Sequence, residues 1–268
     1  MTYRCVTLFP FLCPPEGDKG HRHGQQTNMT DHAWADIAGP SDSPFLLIAD
    51  HASNRVPTDI DLGIDPALLN DHIALDIGVA PLGRALCAAL TCPGILGNIS
   101  RLVVDLNREE DAPHIIPTFS DGQDIPGNDL SDAARAARIA RYWTPYHDRV
   151  TTQIARQKPR LLISLHSFTP QLATKPEEAR PWQIGILYNA DERAARQAIP
   201  ALEAQGILVG DQQPYSGKLL NATMNRHGEA NGIAYLGIEM RQDLIDEDAG
   251  VLKWAAILSP LIAGLKLD

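Results

Sequence analysis

The sequence predicts an α/β fold, a three-layer sandwich with helices on both faces of a mostly parallel, mixed central sheet. Three observations carry that expectation. Apolar runs at 45–50, 102–106, 160–166, 183–188 and 234–240 are rich in Leu, Ile and Val with little polar alternation, the pattern of strands buried on both faces. Stretches with helical spacing lie between them, and strand-helix alternation is the pattern of a doubly wound sheet. The remaining connections are rich in Gly, Pro, Asn and Asp, residues that favour turns.

Taken in order, the run at 45–50 is the first strand and delivers His51. Residues 76–90 place Ile77, Ala80, Leu82, Ala85, Leu86 and Ala89 at helical spacing and stop before Cys92-Pro93-Gly94, a helix-ending sequence. The run at 102–106 reads as the second strand, which would bring Asp105, Asn107 and Arg108 to its carboxyl end. Residues 129–157 form an Ala- and Arg-rich helical stretch, kinked or divided near Thr144-Pro145 because proline lacks the amide hydrogen a helix interior needs. The strand at 160–166 ends in His166, the one at 183–188 follows a loop, and the one at 234–240 carries Glu239. Helices are expected at 191–203 and 247–262. The long polar stretches 111–129, 168–182 and 211–231 flank these strand ends, and loops of that length in a compact domain are usually functional.

A chain of 268 residues supports one large core. Residues 1–43, rich in Pro, Gly, His and Asp, are expected to be a poorly ordered leader, with Met29 an alternative start, and 44–268 a single domain. Lys plus Arg number 23 against 33 Asp plus Glu, a net charge of −10, which argues against nucleic acid or an anionic membrane as partner. An anionic substrate would then need a local basic patch, and Arg101, Arg108 and Arg241 can supply one. No apolar run reaches the roughly 18 residues of a membrane span, and the run at 6–13 is broken by Pro10 and lacks a signal-peptide pattern. Cys5, Cys13, Cys87 and Cys92 include no C-x-x-C pair, which fits a reducing cytoplasm.

Ligands of open α/β sheets bind beyond the carboxyl ends of the strands. Asn107 and Arg108 suit a substrate carboxylate there, the guanidinium as a bidentate fork and the amide as an orienting donor. A solvated turn with an Arg–Asp pair would look the same. His51 and His166, each closing a buried run, can converge on one divalent ion, because neutral imidazole is the commonest zinc ligand. No G-x-S-x-G elbow supports a serine nucleophile, and no glycine-rich loop supports a nucleotide.

Blocks along the chain extend the pattern: 50–57 (Asp-His-Ala-Ser-Asn-Arg-Val-Pro), 72–78, 100–108, 120–122, 125–128, 145–147, 166–170, 180–182 (Arg-Pro-Trp) and 239–244. In these the chain resembles the N-formylglutamate amidohydrolases, a family similar in fold and site to zinc carboxypeptidases and aspartoacylases. The resemblance implies a zinc-exopeptidase-like (phosphorylase/hydrolase-like) fold for a catalytic domain at 44–268. It implies a metal-dependent amidohydrolase that cleaves the amide of a small N-acyl amino acid, with N-formyl-L-glutamate to formate and glutamate the expected reaction. It further implies a divalent metal, zinc, as cofactor and a small anionic N-acyl amino acid as partner. Glu239 and Arg101 are the expected catalytic residues, Glu239 as general base. Asn107, Arg108 and Arg241 are expected to bind substrate, and His51, Asp76 and His166 to hold the metal. The relatives carry His-x-x-Glu where this chain has His51 and Asn54. Asp76 is the preferred third ligand, although an Asp at a helix start is equally explained as a cap. A non-catalytic amino-acid-binding protein that has lost its metal, or a deacylase for another acyl amino acid, are the alternatives.

Overall fold

The computed structural model describes residues 32–267. Within them the chain runs β1 (Trp34–Ile37), β2 (Phe45–Ala49), α1 (Val79–Leu90), β3 (Gly94–Gly97), β4 (Phe119–Ser120), β5 (Gln123–Asp124), α2 (Asp132–Arg138), α3 (Thr144–Gln157), β6 (Leu161–Phe168), β7 (Ile184–Leu187), α4 (Ala195–Glu203), β8 (Val209–Asp211), α5 (Ala222–His227), β9 (Ala234–Arg241) and α6 (Asp248–Ala263). Seven strands form one mixed sheet in the order β1-β3-β2-β6-β9-β7-β8, and β4 and β5 pair as a separate hairpin. The centre, β3-β2-β6-β9, is parallel, while β1 and β7 run antiparallel to their inner neighbours.

Strand side chains alternate between faces, and in this sheet both faces are apolar. Leu47 and Ala49 of β2 pack with Leu82 and Leu86 of α1 and with Trp254 and Leu258 of α6. Leu46 and Ile48 of the same strand enter a second core with Tyr142, Tyr146 and Val150. The two cores are the two interfaces of a three-layer sandwich, the architecture expected from the sequence. A π-helical turn at Ile139–Trp143 separates α2 from α3, so Pro145 falls in the first turn of a new helix, where its missing amide costs nothing.

Three expectations are corrected. Residues 102–106 are not a strand: Leu102, Val103 and Val104 are buried in a run of turns, with the Val103 amide bonded back to Ser100 O and the Asp105 amide to Ile115 O. The strand is β3, just upstream. Second, α1 starts at Val79, not at 76. Gly78 precedes it with φ of 79°, and a side chain there would meet Ile245 O at 2.3 Å, so the chain turns on a glycine. Third, residues 34–37 of the expected leader are the edge strand β1. The rest of that leader, with Met29, Cys5 and Cys13, lies outside the described residues. Cys87 and Cys92 are buried free thiols, and no described helix is long and apolar enough to cross a membrane.

Candidate active site

The carboxyl ends of β2, β6 and β9 converge. His51 leaves β2 two residues after its end, His166 sits near the end of β6, and register pairs His166 with Glu239 on β9. Asp76 comes from the turn before α1, which is tied down by a 2.9 Å bond from its amide to His51 O. One Asp76 oxygen, Oδ2, lies 2.9 Å from His166 Nδ1 and 3.4 Å from His51 Nδ1. His51, Asp76 and His166 are all buried and offer ligand atoms within 4.8 Å of one another, so they could hold a metal ion. The far nitrogen of each ring faces another buried carboxylate. His51 Nε2–H donates to Asp105 Oδ1 at 2.7 Å, and His166 Nε2 lies 3.4 Å from Asp50 Oδ2. Asp50 is fixed in turn by the Tyr146 hydroxyl, which donates to Oδ1 at 2.7 Å. Carboxylates behind the ring are what orient metal-binding imidazoles and set their tautomer.

Charge shows why such a cluster suits a divalent ion. Asp50, Asp76, Asp105 and Glu239 are buried, and two guanidiniums reach them. Arg101 bridges Asp76 (3.2 Å) and Asp105 (3.1 Å), and Arg108 approaches Asp105 at 3.6 Å. With all four carboxylates ionised, two guanidiniums leave two negative charges while both imidazoles are neutral. Burial opposes charge on His51 and His166, yet the facing aspartates outweigh it and raise both rings above the ordinary histidine value. A divalent cation would replace those two protons with the same total charge. His51 Nδ1 has no hydrogen-bond partner despite full burial, an orphan that a metal would satisfy. Glu239 is similar: burial, with Asp76 nearby, pushes it up to about 7, and its Oε2 is buried and unpartnered.

These groups open into a pocket of about 270 Å³, lined also by Asn107, Arg108, His72, Ser120, Asp121, Thr174 and Tyr215. The segment carrying Asn107 and Arg108 is held from below. Leu106 O accepts from His147 Nε2–H, and Arg108 O from the Trp143 indole. Asn107 Oδ1 accepts from the Thr223 amide, which fixes the side-chain amide at the pocket wall. At the mouth Asp121, with φ of +38°, joins three segments: its carboxylate faces His72 Nε2 and accepts from the amides of Ala173 and Thr174 and the Thr174 hydroxyl.

The structure therefore brings His51, Asp76, His166, Glu239, Arg101, Asn107 and Arg108 to one pocket. Arg241 is elsewhere: its guanidinium is engaged by Asp243 two residues on (2.8 and 3.1 Å) and by Pro181 O, outside the pocket lining. Asn54 is turned to Asn70, donating from Nδ2 to its Oδ1 at 3.2 Å. Asp50 orients the imidazole of the next strand rather than its sequence neighbour. Tyr146, Tyr215 and His227 carry no assigned role in the sequence, whereas the Asp-x-Asn-Arg spacing marks Asp105 as a further carboxylate beside the Asn107–Arg108 pair and an alternative proton carrier to Glu239.

Comparison with known proteins decides the family. A model of the N-formylglutamate amidohydrolase family matches residues 43–246. The chain belongs to this family. It is accordingly a hydrolase acting on amide bonds. Among solved structures, an Agrobacterium tumefaciens gene product, Atu2144, is 30% identical with a TM-score of 0.82, over 87% of this chain and 94% of that one. An N-formylglutamate amidohydrolase from Ralstonia eutropha is 18% identical with a TM-score of 0.65, over 85% and 95% of the two chains, and shows the same fold. No curated protein matches the chain by sequence.

Proposed function

We propose that this N-formylglutamate amidohydrolase family member is a zinc-dependent enzyme that cleaves N-formyl-L-glutamate to formate and glutamate. The observation that carries the reading is the buried His51–Asp76–His166 cluster beside the unpartnered Glu239 carboxylate in one pocket. Two imidazoles and one carboxylate are a ligand set that leaves a fourth position open, as catalytic zinc requires. A bound divalent ion supplies Lewis acidity toward the amide carbonyl and a water of lowered pKa. Glu239 takes the water's proton and delivers it to the leaving amine, work suited to a carboxylate poised near neutrality. Arg108 and the Asn107 amide grip the substrate carboxylate, and Arg101 holds Asp76 and Asp105 in place. The family name and the named Ralstonia eutropha relative support the choice of acyl amino acid.

The test is amino-acid release from formyl, acetyl and succinyl derivatives of glutamate and other amino acids, by zinc-loaded and chelator-treated protein. Formylglutamate is expected to turn over fastest and only with metal. Glu239→Gln should lower kcat by roughly 10²–10⁴-fold with zinc stoichiometry intact, the range of a general base. Metal-independent turnover, or loss of the ion from the Glu239 variant, overturns the assignment.

A further inference from the structure

Arg180 belongs to the Arg-Pro-Trp block of the sequence and has no part in the site described above. Its guanidinium is nonetheless buried, with the side chain only 3% exposed. It stands against Tyr215, 5.3 Å from the ring centroid, and Nη1–H donates to the Tyr215 hydroxyl oxygen at 3.1 Å. Its other partners are Glu178 at 3.2 Å and Thr169 O at 3.5 Å, and Nε has none. An arginine only donates hydrogen bonds. The tyrosine oxygen must therefore be the acceptor, and among the described residues no group takes the phenolic hydrogen. Tyr215 lines the same pocket as His51, Glu239 and Arg101. The arrangement is a hydroxyl donor polarised from behind by a buried cation and left vacant on its donating side.

We propose that Tyr215 donates this hydrogen to the scissile carbonyl oxygen of the substrate as that oxygen becomes an oxyanion, and that Arg180 is the positioning residue behind it. The inference rests on the amide-hydrolase reading and deepens it. Water adds to the carbonyl carbon and the C=O π pair moves to oxygen. That pair then reforms the carbonyl as the C–N bond breaks and the amine takes the proton held by Glu239. Tyr215 keeps its own proton throughout, so it acts by stabilising charge rather than by proton transfer. Donors aimed at a developing oxyanion are typically worth 10²–10³ in kcat.

The experiment compares wild type, Tyr215→Phe and Arg180→Gln as zinc-loaded full chains, with thermal midpoints and zinc stoichiometry measured on the same samples. Tyr215→Phe removes one oxygen and is expected to lower kcat about 10²-fold while KM and the affinity for free glutamate change less than about threefold. Its affinity for a phosphonamidate analogue of the substrate, whose tetrahedral oxygen mimics the oxyanion, should fall by the same factor as kcat/KM. Arg180→Gln should lower kcat in the same direction, and the double variant should lose no more than Tyr215→Phe alone; additive losses overturn the positioning role. Unchanged kcat in Tyr215→Phe, or a loss confined to KM, overturns the oxyanion role. Wild-type turnover keeps the two readings apart: an inactive zinc-loaded wild type overturns the amidase reading and this inference with it, whereas an active wild type with an unaffected Tyr215→Phe overturns this inference alone.

Discussion

Two pairs of buried histidines lie in this protein at nearly the same ring separation, 5.1 Å for His51 and His166 and 5.2 Å for His147 and His227. Their electrostatics are opposite. The first pair is surrounded by Asp50, Asp76 and Asp105 and is raised above the usual histidine range. The second is depressed by burial, His147 to about 3 and His227 to about 4. Its hydrogen bonds are also complete along one line: His147 Nε2–H donates to Leu106 O, and its Nδ1 accepts from His227 Nε2–H at 2.9 Å. Proximity of two imidazoles therefore does not make a metal centre. The first pair adds a third, anionic group and carboxylates behind the rings, so that it could hold an ion, whereas the neutral pair serves as a strut beneath the segment that carries Asn107 and Arg108.

The largest expected effect sharpens that contrast. His51→Ala, His166→Ala or Asp76→Ala should each lose stoichiometric metal and at least about 10³-fold in activity, since Lewis-acid stabilisation is worth several kcal/mol. His147→Ala should keep its metal and lose about 1–3 kcal/mol of stability from the buried partners left unpaired. Metal analysis of the four variants decides, and a metal-free His147→Ala would collapse the distinction. A smaller effect is expected one step outside the ligands. Asp105→Asn or Asp50→Asn should weaken metal binding about 10–100-fold in a chelator competition, as lost orienting carboxylates do. No change would mean that the rings are held by packing alone.

The smallest effect concerns pH. The folded-state values of His147 and His227 lie below their ordinary value near 6.5, so the unfolded chain binds more protons between there and about pH 4. Their contribution to stability is complete above pH 6.5 and is lost as pH falls toward 4. At pH 5 the loss is about 1–2 kcal/mol per histidine. Denaturant titrations of chelated protein at pH 7.5 and 5.0 should therefore show a shallower acid loss in His227→Gln than in wild type. Equal losses would remove the neutral pair from the explanation.

The sheet was legible where its strands are long apolar runs, and His51 and His166 were legible because they terminate two of those runs. The exceptions have physical causes. β3 is Gly-Ile-Leu-Gly, half glycine and only four residues long, so it carries almost no strand preference. Its neighbour Leu102-Val103-Val104 has that preference, but its burial is satisfied by packing in turns without a ladder of strand bonds. Arg241 looked available beside Glu239 until Asp243, placed by the short helical turn after β9, captured its fork. Asp105 and Tyr146 bond His51 and Asp50 across 54 and 96 positions of chain, and nothing in local spacing encodes such distances. Asn54 stands where the relatives carry Glu, yet the two histidines still have an acid beside them, because Asp76 reaches them from another segment.

Asp121 joins His72, its own hairpin turn and the loop at 173–174 into a single knot at the mouth of the pocket. The reacting groups descend from strand ends, whereas the doorway is made of surface segments that share one carboxylate. Inheritance can therefore act on the two separately. A lineage that keeps the aspartate can lengthen or rewrite the loop after β6, change what the pocket admits, and leave His51, Asp76, His166 and Glu239 where they are.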